Sequence, residues 1–185
     1  MREHIFAMIE VAPGTKILGE SLVQRRLHSV VSLASEAKLN PRTLRNVLAA
    51  RGLIPAEDNA AGHHVFEAAA GERVAASIAR STKIASLPAA MNCTRPQAGQ
   101  LVDEGMLDPI ADGRRYAVGR TRKAIDNRDI ERFLSALHAS AQSVDMAADG
   151  MVTIAKAAEK AKLSCIEIVH LVLGGLPWGA IECVV

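Results

Sequence analysis

Aromatic residues are scarce in this 185-residue chain: Phe6, Phe66, Phe133, Tyr116 and Trp178 make up 3% of it. That is too few to build the stacking platforms on which single-stranded nucleic acids are held. Cysteine is scarcer still. Cys93, Cys165 and Cys183 stand far apart, with no CxxC spacing and no neighbouring histidine pattern, which argues against a zinc site and against a disulfide framework. The expected setting is therefore reduced and cytoplasmic. No apolar run approaches the roughly 20 residues a membrane helix needs, and the opening MREHIFAMIE lacks a signal-peptide core and cleavage site; no membrane partner is expected. Charge is nearly balanced at +2, so composition alone names no polyanionic partner.

Signatures of catalysis are missing too. There is no GxSxG, HExxH or GxxxxGK run and no clustered carboxylate pattern. Adjacent His63 and His64 would point to opposite sides of a strand and cannot share one metal. His170 alone is no evidence for a site. We expect no enzyme, no catalytic residue, no metal and no cofactor.

With 49% apolar residues, what the chain does have is a core, and a pattern written three times. In the first copy Ala34, Leu39, Leu44 and Val47/Leu48 take the inward positions of a helix, a tight turn and a second helix. Pro88, Cys93, Ala98 and Leu101/Val102 repeat them 54 residues later, and Ala158, Leu163, Ile168 and Leu171/Val172 repeat them 124 residues later. Two helices that cross steeply through a short turn meet only if a small residue lies on the first and apolar residues recur at helical spacing on the second. Asn40, Thr94 and Ser164 stand where a side-chain oxygen can cap each second helix. Pro41 and Pro96 suit the first helical turn, and Gly52, Gly105 and Gly174/Gly175 mark the ends. The fold class expected is mainly α, built of tandem helix-turn-helix subdomains.

The first two copies have a similar continuation. HHVFEAAAGERVAASIA predicts a brief extended piece and a helix from about Ala70 to Ala79. RRYAVGRTRKAIDNRDIERFLSALHAS predicts an Arg-rich wing and a helix from about Asn127 to Ala139, with Ile130, Phe133, Leu134 and Leu137 facing the core. The expected division is 1–81 for the N-terminal segment with the first unit, 82–140 for the second unit with its wing, and 150–185 for the third.

The outward faces of the second helices differ. The first presents Arg42, Thr43, Arg45 and Asn46. From Ser21 to Ile54 six basic residues (Arg25, Arg26, Lys38, Arg42, Arg45, Arg51) meet one acid, Glu36. Arginine grips guanine and asparagine grips adenine through paired hydrogen bonds in the major groove. The second offers Arg95, Gln97 and Gln100, with Arg114, Arg115, Arg120, Arg122 and Lys123 in the wing, diluted by Asp103, Glu104, Asp108 and Asp112. Gly99 there is expected to admit a close backbone. The third places Ile166, Glu167, Val169 and His170 on its second helix and Lys156, Lys160 and Lys162 along its first. Exposed Ile and Val beside Glu make a poor phosphate surface, so this copy is expected to pack against another domain or partner.

The order MREHIFAMI, PGTKILG, VQRRLHSVVSLASEAKLNPRTLRNVLAARGLIP, then LPAAMNCTRPQAGQLVDEGML, then TIAKAAEKAKLSCIEIVHLVL resembles the internal helix-turn-helix region of bacterial TniQ-like proteins, relatives of TnsD. The resemblance covers nearly the whole chain, through motifs shared widely with transcription factors. It implies a part in selecting the target DNA of a transposon and in bridging that DNA to the transposition proteins. The family's Cys- and His-rich zinc-binding region is absent, which implies a central segment of something longer. The apolar ending GGLPWGAIECVV fits that, or else a short strand pairing internally or across a dimer.

The reading is thus of a non-catalytic double-stranded DNA binder. Arg42, Thr43, Arg45 and Asn46 read one major groove, and Arg95, Gln97, Gln100, Arg114 and Arg115 engage a neighbouring segment. Protein partners meet the third unit. A transcriptional regulator and a protein-binding scaffold are the alternatives.

Overall fold

The computed structural model describes residues 9–55, 64–111, 124–140 and 150–174. It is mainly helical, and its strands are two or three residues long. The chain divides into two units. One comprises residues 1–81 and 109–126, the other residues 82–108 and 127–185.

The first unit opens with a small antiparallel hairpin, β1 (Lys16–Ile17) and β2 (Glu20–Ser21). Its turn, Leu18-Gly19, is left-handed at both residues, with φ of 49° and 85°. A leucine held in that conformation costs about 1–2 kcal/mol. Val11, Ile17 and Leu22 pack together beneath it. Then follow β3 (Leu27–Ser29), α1 (Val30–Glu36), α2 (Pro41–Ala50), β4 (Val65–Glu67) and α3 (Ala68–Ala79). β3 and β4 pair antiparallel with His28 opposite Phe66. Val30, Leu33, Ala34, Leu44, Leu48, Ile54, Phe66 and Ala75 form one buried cluster between these elements. Gly71 is what lets α3 lie this close: a Cβ there would fall 2.3 Å from the Phe66 ring and 2.9 Å from Leu33.

The second unit is reached through β5 (Ser81–Lys83), a 3-10 turn over Ile84–Ser86, and α4 (Leu87–Ala90). Where a full first helix was expected the chain makes this short pair of turns, because Pro88 lacks an N–H and is tolerated only in a helix's first turn. After α5 (Arg95–Asp103) the chain returns to the first unit through Pro109–Asp126, which includes β6 (Ala124–Asp126). It then re-enters the second as α6 (Asn127–Ser140), α7 (Ile154–Ala161) and α8 (Cys165–Leu173). α8 packs on α5, α6 and α7.

Three helix pairs, α1–α2, α4–α5 and α7–α8, share one turn geometry. A non-glycine residue is left-handed at the same place in each: Lys38 (φ 53°), Asn92 (φ 47°) and Lys162 (φ 55°). The next N–H returns to the first helix, Leu39 to the Ala34 carbonyl at 2.9 Å, Cys93 to Pro88 at 3.1 Å and Leu163 to Ala158 at 3.0 Å. Asn40, Thr94 and Ser164 then cap the second helix. Gly52 and Gly105 end the first two left-handed, as their glycine suits; Gly174 stays right-handed.

The Arg-rich wing expected in the second copy lies outside the described residues, but Ile110, Ala111 and Ala124 on either side of it pack on Val47 of the first unit. One expectation is corrected by packing. Ile166 and Val169, read as exposed, are 9% and 7% exposed within the second unit. Among the described residues nothing lies within 4 Å of a Cβ placed at Gly99, so no backbone among them explains that glycine.

Candidate nucleic-acid interface

α2 begins where Pro41 fixes the first φ and Asn40 accepts from the amides of Arg42 and Thr43, at 3.0 and 3.2 Å. One side-chain oxygen thus satisfies two of the free donors at the helix start. Leu44, Val47 and Leu48 turn inward at 0% exposure. That fixes the rotation of the helix. Arg42 is left exposed, and Thr43, Arg45 and Asn46 are half-buried along its flank. No acid occurs on α2. Arg45 Nε is buried and has no hydrogen-bond partner among the described residues. Such a group is held against a cost of about 1–3 kcal/mol. Arg25 Nε and His28 Nε2 share this condition.

Part of the basic footprint is spent internally. Arg25, 13% exposed, holds Glu10 at 2.8 Å and Glu36 at 2.7 Å. Burial pushes the Glu10 carboxyl up, but hydrogen bonds from Ser32 and Ser29 and the Arg25 charge outweigh it, leaving Glu10 below its ordinary value. Arg51 donates from Nε to the Ile110 carbonyl at 3.1 Å, fastening the returning segment beside the end of α2.

In that segment Ile110 N–H meets the Ala124 carbonyl at 3.0 Å, and Pro109 pairs antiparallel with Ile125. Arg114 and Arg115, with Arg120, Arg122 and Lys123, lie outside the described residues. The chain on either side of them does not: it rests on Val47 and Ala50 of α2. The sequence therefore ties the wing's charge to the second helix pair, whereas its described ends belong with the first.

On α5, Arg95 and Gln100 are exposed, but Gln97 is committed. Its Oε1 accepts from the Thr94 amide at 2.7 Å and hydroxyl at 3.0 Å, and its Nε2 donates to Cys165 Sγ at 3.1 Å. Gln97, expected to face DNA, thus forms half of a capping box in this structure. Glu167 does the same for α8, accepting from the Ser164 amide at 2.7 Å and hydroxyl at 2.8 Å, which hold its carboxyl below the ordinary range. No reciprocal bond of this kind ties Thr43, the corresponding residue of α2.

Sequence reasoning missed a charged cluster around His28, which is 1% exposed. Its Nδ1 lies 3.0 Å from Ser32 Oγ, and Nε2 lies 3.6 Å from both Glu36 and Glu72. Ser32 and Glu36 are near in the chain, but Glu72, which closes the cluster, stands too far away to leave a local signal. Gln97 was legible, since Thr94-x-x-Gln97 is a capping-box spacing.

Among the described residues no group of three or more His, Cys, Asp or Glu is arranged to hold a metal ion. Cys93 and Cys165 are free thiols, and burial pushes the Cys93 thiol up. No described helix is long and apolar enough to cross a membrane. Compared with known proteins, the chain matches no family model, no curated protein and no solved structure.

Proposed function

We propose that the chain is a non-catalytic, sequence-specific binder of double-stranded DNA, its three helix pairs acting as helix-turn-helix units. The observation that carries this reading is α2: a capped, acid-free helix start with Arg42, Thr43, Arg45 and Asn46 along one side and an unpartnered buried Arg45 Nε. In the major groove Arg42 and Arg45 donate to guanine, and Asn46 to adenine. Thr43 supplies a short hydroxyl and methyl contact.

Arg114 and Arg115 add phosphate contacts. Arg95 and Gln100 make a smaller contact from the second unit. This division fits the TniQ-like resemblance, in which DNA choice and protein bridging share one chain; with Ile166 and Val169 buried in the chain itself, a protein partner would meet the exposed Glu167 and His170 of α8. A transcriptional regulator would use the same DNA-facing residues.

The test is fluorescence-anisotropy titration of labelled duplexes at several salt concentrations. Wild-type protein should show a log-affinity that falls linearly with log salt. The double variant Arg42→Ala/Arg45→Ala should bind more weakly with a flatter slope and less preference among sequences. A folded wild-type sample that leaves DNA unbound at low salt removes the reading.

A further inference from the structure

The third helix pair carries a basic ladder that the reading above leaves unused. α7 runs from Ile154 to Ala161, and Lys156 and Lys160 stand four residues apart on it, on one face. Lys162 follows at the turn, left-handed. All three are exposed, as are Ala155 and Ala161 beside them, so no bulky side chain keeps a large surface from closing on the ammonium groups. Two acids lie nearby. Glu159 is exposed, while the Glu167 carboxylate is already engaged by the Ser164 amide and hydroxyl. Meanwhile α8 buries Ile166, Ile168 and Val169. Of this pair, then, the second helix is taken up by packing and the first keeps its charge outward.

We infer that α7 is a phosphate-contacting face: Lys156, Lys160 and Lys162 bind backbone phosphates of double-stranded DNA, without reading bases themselves. The inference rests on the DNA-binding reading above. Charge complementarity selects the occupant, because lysine is a point charge on a flexible stem, suited to phosphate oxygens at varied positions and unsuited to discriminating base edges. In a helix-turn-helix unit the first helix is the one that crosses the backbone. The third pair would then add affinity and leave sequence preference alone.

The experiment is a salt titration of duplex binding by the whole chain, comparing wild type with Lys156→Gln/Lys160→Gln/Lys162→Gln. A control, Lys16→Gln/Arg73→Gln/Lys83→Gln, removes equal charge from other exposed positions. Glutamine keeps helix propensity close to that of lysine, and circular dichroism checks the fold. Each phosphate contact contributes about 0.9 to the log–log slope. The expected result is a slope flatter by about 2–3 in the α7 variant, a smaller change in the control, and an unchanged ratio of affinities between two test sequences. An α7 variant with the wild-type slope, or one no flatter than the control, overturns the inference while leaving the DNA reading standing. Wild-type protein that binds no duplex overturns both.

Discussion

The first and second helix pairs share their turn, left-handed residue and cap position, yet they use the third residue of the second helix differently. In α5 that residue, Gln97, is drawn back into the cap and onto Cys165. In α2 it is Thr43, whose amide donates to Asn40 while its side chain takes no part in the cap. The same divergence recurs two residues on, where α2 has Arg45 and α5 has Gly99. A duplicated frame can thus keep its fold while the side chains at one helix start go either to the protein's own backbone or to whatever approaches from outside.

The largest effect should come from the core beneath that difference. Leu44, 0% exposed, occupies the position held by Ala98 in the second pair. Leu44→Ala should destabilise the protein by about 2–5 kcal/mol in urea unfolding; a loss under about 1 kcal/mol would mean the two pairs are packed alike after all. Next is Arg42→Ala against Arg95→Ala. Arg42→Ala should cost about 1–3 kcal/mol of binding to a preferred duplex and relax its sequence preference. Arg95→Ala should lower the salt slope by about 1 and leave preference intact. Equal loss of preference in both variants would erase the contrast between the pairs.

Smaller effects separate the caps. Gln97→Ala should lower stability by roughly 1 kcal/mol, as loss of a cap partner does, with duplex affinity unchanged. Thr43→Ala should do the reverse in the same two assays. Smallest is the acid limb of stability. Glu10 sits below its ordinary value in the fold, so its contribution is present above the usual carboxyl range, roughly pH 4–5, and is lost as pH falls through the lower folded value. Glu10→Gln should therefore flatten the decline of stability on acidification, followed by thermal melting from pH 6 to pH 3.

Sequence pattern located what depends on local chemistry. The helices expected over 70–79 and 127–139 span Ala68–Ala79 and Asn127–Ser140, and Asn40, Thr94 and Ser164 cap as their oxygens allow. Pattern failed where partners are distant. Nothing in Ile110, Ala111 and Ala124 tells a reader that they pack on Val47, about sixty residues and more earlier. The exposure assigned to Ile166 and Val169 failed for the same reason, since α8 packs on α5 and α6, which stand well before it in the chain. Of the candidate site, the identity of the residues on α2 was legible. The commitment of Arg25 to Glu10 and Glu36 was not, because an ion pair is decided by where three separate segments meet.

The interleaved connectivity bears on how the chain is made. Val47 and Ala50 await Ile110, Ala111 and Ala124, so at a synthesis rate of 5–20 residues per second the first unit remains unfinished on the ribosome for roughly 3–15 s after α2 has emerged. During that interval the α4–α5 stretch is already out. Nascent chains would pass through a stage in which Val47 and Ala50 lack the cover of Ile110, Ala111 and Ala124, while Leu44 and Leu48 already have theirs, making that patch of α2 a natural place for a chaperone to hold and for a truncated product to aggregate.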